Sequence, residues 1–384
     1  MGAGRLWTFR RPQNRQSVAP GGLLTMWYHG PMKALPDRRG PRLIALGTLT
    51  FFSILFLIHA VEFGLWLRDP RRRLPVDGEK DGVYYTWGHP WRADHRVVWN
   101  GWHFRQKRFE VPKPRGVRRV MVVGDSLTFG VGLAPAQRYT ELMEDRLNEL
   151  SPRQGWEVIN LGLMGAPTVF ERDVVVGFGP MVAPDRIVVG FSLNDVDPAK
   201  KYPTEEHRRF EERHGRWMGS VEKILAGVAL PRLAGQFRKA LNRWAELSGR
   251  VPDYEEQLRR AYAEDAPTWI AFREALRDIK KFSDGRRLPA PLFAALLSPG
   301  SSAEVARPTP EQRFVADRVD QAARAAEDLG FAVVRFEEAV GRLPPESPLH
   351  VNPADGHPGP ELNRLFADGL ARAVGDRHPP RASD

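Results

Sequence analysis

The chain has 384 residues, 42% of them apolar and 27% charged, with 35 Gly, 33 Pro and no Cys. That length holds one large or two modest domains, and the composition is too apolar for disorder and too aperiodic in Gly and Pro for a fibrous chain. The absence of cysteine excludes a disulfide framework, a thiolate nucleophile and a Cys-ligated metal.

The net charge of +10 is uneven. Twelve Lys and Arg oppose three acids up to Arg73, whereas the remaining 311 residues carry 45 basic and 44 acidic side chains. A nucleic-acid binder needs its excess charge on the folded part, where phosphates meet it. No nucleic-acid partner is expected.

Residues 1–42 are rich in Arg, Pro and Gly without periodicity, and they read as a disordered basic tail. A start at Met32 would leave a compact basic segment before the apolar run. Leu43 to Val61 contains 19 residues without a charge, and after Glu62 the apolar character resumes through Leu67. About 20 helical residues cross a hydrocarbon core, so residues 43–67 are expected to form one transmembrane anchor. Trp66 suits an interfacial aromatic, and arginines close both ends. The run is long for the apolar region of a cleaved signal peptide, and no clear small-x-small site follows it. Four Lys or Arg lie close on either side, so the positive-inside rule does not orient the helix. A short tail before a large C-terminal domain is the pattern of a signal anchor, with the domain expected on the periplasmic or cell-surface side.

Residues 74–118 form an aromatic stretch (Tyr84, Tyr85, Trp87, Trp91, Trp99, Trp102) without helical periodicity, read as a connecting segment packed on the next domain. From there strands and helices alternate. Strands are predicted at Arg119–Val123, Trp156–Asn160, Arg186–Phe191, Leu292–Leu297 and Phe331–Phe336, with helices at Ala136–Leu150, Gln312–Leu329 and Pro360–Val374. In Gln312–Leu329 the apolar residues Val315, Val319, Ala322, Ala326 and Leu329 share one helical face, and Gly330 ends it. Apolar strands alternating with helices argue for a parallel sheet covered on both faces, with a ligand beyond the strands' carboxyl ends. An insertion at about 198–291 is helical in pattern and carries Trp217, Trp244 and Trp269. Its later part, Ile270–Phe282, suits a crossover helix. Its earlier part reads equally as a cap over the site or as surface decoration.

Four blocks fall at those carboxyl ends. Gly124-Asp125-Ser126-Leu127 follows the first strand, Asn160-Leu161-Gly162-Leu163-Met164-Gly165 ends the second, Ser192-Leu193-Asn194-Asp195 ends the third, and Asp355-Gly356-His357-Pro358 precedes the last helix. Each alone has a bland meaning: a helix cap at Ser126 or His357, a positive-φ turn at Gly165, a strand-ending turn at Asn194-Asp195. Together they offer what acyl transfer needs, namely a serine, a base, a group orienting the base, and donors for an oxyanion. Thr128 stands where a G-x-S-x-G elbow has its second glycine, so the turn is not of that type.

Over about Arg119 to Val374 the chain resembles the SGNH, or GDSL-type, hydrolases, with all four blocks in order. The resemblance implies a flavodoxin-like three-layer α/β sandwich with a five-stranded parallel sheet over residues 119–375. It also implies Ser126 as nucleophile, His357 as general base, and Ser126, Gly165 and Asn194 as oxyanion donors. Asn100-Gly101 and Phe104-Arg105 are similar to members found with bacterial cell-surface polysaccharides. Two departures stand out. Ser192 replaces the glycine of G-x-N-D, which is expected to matter little. The acid usually three before the histidine is Ala354, so Asp355, two before it, is assigned to orient His357, with His350 as a spare base.

The resulting expectation is a membrane-anchored serine esterase acting on O-acyl, chiefly O-acetyl, esters of cell-surface carbohydrate or on small esters, without metal or organic cofactor. An O-acyltransferase using the same residues, a lipase or thioesterase, and a non-catalytic glycan-binding or assembly protein are the alternatives. Among the other histidines, His207 and His214 are seven apart on a charged helix and read as solvated.

Overall fold

The computed structural model describes residues 39–68, 78–80, 83–86, 89–92, 97–196, 205–352 and 355–375. It separates into two units, residues 1–57 and 58–384. The expected tail falls outside the described residues except for the start of helix α1, Arg39–Arg68. Within it Leu46–Arg68 is long and apolar enough to cross a membrane, and Leu46, Phe51, Phe52 and Phe56 are exposed along the first unit's part of it.

The aromatic stretch holds strands that no periodicity announced. β1 (Gly78–Lys80), β2 (Val83–Thr86) and β3 (His89–Arg92) form an antiparallel meander. β4 (Val97–Trp99) and β5 (Trp102–Phe104) form a hairpin. Its turn is Asn100-Gly101, both at positive φ (48° and 79°), as a two-residue hairpin turn requires. Trp99 stacks on Phe178 at 5.5 Å, and Phe104 is fully buried in the core.

The elements that follow are β6 (Val117–Gly124), α2 (Ser126–Phe129), α3 (Tyr139–Leu150), β7 (Gly155–Gly162), α4 (Thr168–Val182) and β8 (Arg186–Phe191). The insertion supplies α5 (Glu205–Gly227), α6 (Pro231–Leu247), α7 (Tyr254–Ala261) and α8 (Pro267–Gly285). The chain then runs through β9 (Leu292–Ala295), α9 (Ser302–Ala306), α10 (Pro310–Asp328), β10 (Ala332–Val334) and α11 (Glu337–Gly341). It ends in β11 (His350–Asn352), β12 (Asp355–Pro358) and α12 (Pro360–Gly375).

Strands β6 to β10 make a parallel five-stranded sheet in the order β10-β9-β8-β6-β7. This is the flavodoxin-like winding, in which the first strand lies between the second and the third. Alternation along the strands fills two cores. Met121 and Val123 face α4, α8 and α10 together with Ile187, Val189 and Phe293. Val120 and Val122 face α3 and α12 together with Val188, Leu292 and Ala294. The layers are therefore helix, sheet, helix. Helix α8 contains the expected crossover segment and buries Phe272, Leu276 and Ile279.

The strand order places a crevice where β6 parts company with its two neighbours, since the chain leaves β6 for β7 on one side and returns to β8 on the other. Ligands of such sheets lie there. The loops after β6 and β8 are those carrying Ser126 and Asn194.

Candidate active site

Three glycines stand side by side at the carboxyl edge, Gly124 of β6 paired with Gly162 of β7 and with Gly190 of β8. They leave room for α2 to settle directly on the strand ends. A Cβ on Gly124 would lie 2.0 Å from Thr128 Oγ1, and one on Gly190 would lie 2.4 Å from the same atom. Thr128 Oγ1 in turn meets the Tyr139 hydroxyl at 2.9 Å. Asp125 caps the short helix, its Oδ1 accepting from the Leu127 N–H at 2.9 Å. Ser126 is thereby held at the first helical position, half-buried at the crevice.

Ser126 Oγ lies 3.0 Å from His357 Nε2, and His357 Nδ1 lies 2.5 Å from Asp355 Oδ1. The same Asp355 oxygen accepts the His357 backbone N–H at 3.1 Å. The short spacing follows from the local backbone. Asp355 and His357 sit on β12, and residues two apart on a strand point to one face, with exposed Gly356 turned away between them. An acid three residues before the histidine would suit a helical or looped approach. On this hairpin the acid two residues away is the one that reaches. Because the carboxylate accepts at Nδ1, that nitrogen carries the proton and Nε2 presents its lone pair to the serine.

A second network lies under the serine. The buried Asp125 Oδ2 accepts from Ser192 Oγ at 2.8 Å and from Asn194 Nδ2 at 3.1 Å. It is also 3.3 Å from Ser126 Oγ, but a single hydroxyl proton serves the nearer imidazole while the aspartate oxygen is already occupied. Ser192 Oγ also lies 2.5 Å from Asn194 Oδ1, so its single proton is placed between two acceptors, the aspartate and the amide carbonyl. The loop is tied further by the Ser192 N–H donating to Asp195 Oδ2 at 2.7 Å and by the buried Tyr262 hydroxyl donating to the Leu193 carbonyl at 2.8 Å. Burial pushes the Tyr262 phenol well above its usual range.

Gly165 sits in the loop beyond β7 at φ 75°, a conformation suited to glycine. That loop is joined to β6 by the Leu163 N–H donating to the Gly124 carbonyl at 3.0 Å. His350 lies on β11 and makes its ring contact with the Ser298 carbonyl at 3.3 Å; the imidazole that meets Ser126 is that of His357. His207 and His214 are half-buried rather than solvated, because α6 packs beside α5 and because the His214 ring lies against Phe210, tilted at 32° with centroids 4.4 Å apart. Burial lowers the His207 pKa. Among the described residues no three His, Asp or Glu side chains converge as metal ligands would.

Supporting roles fall to Arg105 and Asn160, which the sequence reading named without a role, and to Asn363, which it did not name. Arg105 donates to the carbonyls of Gly130 (3.1 Å) and Leu133 (2.8 Å), clamping the loop that leaves α2. Burial, with Arg138 alongside, lowers its pKa to about 10. Asn160 donates to the Thr128 carbonyl at 2.8 Å, and Asn363 joins the Tyr139 N–H to the Pro358 and Gly359 carbonyls. A buried polar residue in an apolar strand, as at Asn160, was the available signal, since such groups are kept only where they are hydrogen-bonded.

Three solved structures are similar to this chain at low identity. LAE5, an alpha/beta hydrolase enzyme from the metagenome of Lake Arreo, is 16% identical, with 68% of this chain and 97% of that chain covered and a TM-score of 0.38. TesA is 14% identical, covering 67% and 99%, with a TM-score of 0.39. Axe2, an acetylxylan esterase from Geobacillus stearothermophilus, is 16% identical, covering 67% and 94%, with a TM-score of 0.38. No curated protein matches the chain. The family model of the GDSL-like lipase/acylhydrolases matches residues 122–365, which takes in Ser126, Gly165, Asn194 and His357. With that match spanning most of the chain and all four blocks, the protein belongs to the GDSL-like lipase/acylhydrolase family.

Proposed function

We propose that the protein is a membrane-anchored serine esterase that hydrolyses O-acyl esters, chiefly O-acetyl esters of cell-surface carbohydrate, on the extracytoplasmic side of a bacterial membrane. The observation that carries the chemistry is the chain Ser126 Oγ to His357 Nε2 at 3.0 Å and His357 Nδ1 to Asp355 Oδ1 at 2.5 Å. Ser126 Oγ attacks the ester carbonyl as its proton passes to Nε2. Asp355 holds the imidazole in the required tautomer and stabilises the imidazolium that forms. The oxyanion is received by the backbone N–H groups of Ser126 and Gly165 and by the Asn194 amide. One Asn194 N–H is committed to Asp125, which orients the second. The imidazolium then returns the proton to the leaving alcohol, and water, deprotonated at Nε2, releases the acid from the acyl-enzyme.

Anchoring is supported by Leu46–Arg68 and by the confinement of excess positive charge to its flanks. The carbohydrate substrate rests on the anchor and on the family's acylhydrolase chemistry. The test is p-nitrophenyl acetate turnover by the full chain in detergent beside its Ser126→Ala variant, followed by acetate release from acetylated polysaccharide. Sustained turnover confined to the wild type is expected. Equal rates in both proteins would remove the serine mechanism, and a single stoichiometric burst would assign an acyl-enzyme awaiting a carbohydrate hydroxyl instead of water.

A further inference from the structure

The insertion carries an apolar surface that the fold of the domain does not use. Trp217 and Ile224 on α5, Val228 just beyond its end, and Phe237, Trp244 and Leu247 on α6 are between 41% and 73% exposed. Their spacing puts them in stripes. Trp217 and Ile224 are seven apart, as are Phe237 and Trp244, and two helical turns return a side chain to the same face. Met218 on α5, and Ala234 and Ala245 on α6, are the buried positions, so each helix has one stripe packed inward and a second facing out. The outward stripes merge, since the Trp217 and Phe237 rings meet at 6.0 Å. The Arg250 guanidinium lies over the Trp244 ring at 4.1 Å, a cation at the rim, and an exposed apolar patch rimmed by polar groups marks an interaction site.

The same helices are basic. Residues 205–250 contain ten Lys and Arg against six Glu; exposed Lys223 and Lys239 stand off the apolar stripes, exposed Arg213, four before Trp217, extends the α5 stripe, and exposed Arg243 pairs with Glu246 at 3.0 Å. An apolar stripe with Trp and a cationic polar face is the composition of a helix lying in a membrane interface.

Position agrees with composition. The buried Glu62, on the part of α1 belonging to the second unit, accepts the backbone N–H groups of Arg232 (3.1 Å) and Leu233 (2.8 Å). Its carboxylate also meets the Arg232 guanidinium at 3.5 Å. It therefore caps the first turn of α6, where the helix dipole favours an anion. Glu62 is the first charge after the 19 uncharged residues from Leu43. With apolar residues resuming to Leu67 and the span running Leu46–Arg68, Glu62 lies in the last third of the span, so α6 begins against the end of the anchor nearer the folded domain.

We propose that the α5–α6 hairpin is a second membrane contact, lying flat in the interface with Trp217, Ile224, Phe237 and Trp244 in the acyl region and its basic side chains among anionic headgroups. The inference rests on the anchor in the proposed function, and it makes the early insertion a membrane-seating element, neither a cap over the serine nor decoration. Seated in this way, the domain would be held at a defined height and tilt against the bilayer instead of swinging on one helix.

The chain has no cysteine, so single substitutions give unique labelling sites. Nitroxides would be placed at Ile224→Cys, Trp244→Cys, the polar-face control Asn242→Cys and the anchor control Phe56→Cys, in full chain reconstituted into phosphatidylethanolamine–phosphatidylglycerol vesicles. Accessibility to oxygen, which concentrates in the bilayer, is compared with accessibility to a water-soluble nickel complex. The oxygen-to-nickel ratio at 224 and 244 is expected to be several-fold above that at 242 and near that at 56. Water-like ratios at 224 and 244 with a bilayer ratio at 56 would overturn the hairpin contact and leave the anchor standing. A water-like ratio at 56 would remove the anchor, and this proposal with it. Spin–spin broadening at 224 would assign the face to a second copy of the chain and equally overturn the lipid contact.

Discussion

Ser192 Oγ lies 2.8 Å from Asp125 Oδ2, joining the loop after β8 to the residue beside the serine. The glycine usual at position 192 has no group for this bond. The expectation that the exchange would matter little therefore meets a different geometry: here the hydroxyl sits between a buried carboxylate and the Asn194 amide. Ser192→Ala leaves Asp125 one donor short. A destabilisation of about 1–3 kcal/mol is expected, as for a buried acceptor losing a partner. Ester turnover should also fall, by about tenfold, as the Asn194 amide loses its alignment as an oxyanion donor. Thermal unfolding and kcat/KM measured on the same preparation check both; an unchanged melting temperature would show that Asn194 alone satisfies the aspartate.

Asp355→Asn tests the short spacing. An amide placed against His357 Nδ1 no longer favours the tautomer with Nε2 free, and kcat is expected to fall by about 10⁴, the size of loss such a change produces in serine triads. KM should change little, because the side chain contacts the imidazole and not the substrate. His350→Gln, by contrast, should retain turnover, since His350 meets the Ser298 carbonyl. Loss of activity in His350→Gln with retention in Asp355→Asn would reverse the two assignments.

Gly124→Ala tests the seat of the nucleophile. The added Cβ would meet Thr128 Oγ1 at 2.0 Å and the Gly190 carbonyl oxygen at 2.8 Å, so α2 must lift from the strand ends. Overpacking of this kind costs about 1–3 kcal/mol, and a displaced Ser126 should lose most of its turnover. Thr128→Gly in the same chain removes the nearer obstacle and is expected to restore part of the stability, with the carbonyl contact limiting recovery. Circular dichroism melts and ester hydrolysis of the three proteins give the comparison.

Tyr139 sets a dependence on alkaline pH. Burial holds its phenol above the usual range, opposed by the hydrogen bond with Thr128. The folded protein therefore keeps this proton where the unfolded chain releases it. Its contribution to stability is full below pH about 10, the ordinary phenol value, and is lost as pH rises beyond it. Tyr139→Phe removes that proton, so the wild type should lose more stability than the variant between pH 9 and pH 11. Denaturant midpoints at the two pH values measure the difference, and parallel losses would contradict the assignment.

The four chemical blocks were legible because each is local: a glycine, a serine or an asparagine at the end of an apolar strand announces a turn whatever lies around it. The five strands were legible for the same reason, since β-branched runs between helical patterns have few other folds to adopt. The strands at 78–104 were not, because strands of three or four residues are too short to display a period. Asp355 could be named from composition near His357, but only its placement on β12 explains why two residues suffice.

Local order along the chain thus determined the α/β class, the apolar helix and the set of residues gathered at one edge. Tertiary structure alone decided which of them touch: that Asp125 accepts from Ser192 and Asn194, that Arg105 clamps the loop beyond α2, that three glycines align beneath Thr128, and that Glu62 caps α6. Most of these contacts join residues far apart in sequence. Periodicity and propensity record how each segment meets its immediate neighbours, whereas a hydrogen bond across the fold exists only once the strand order has been chosen and the core has set the distances.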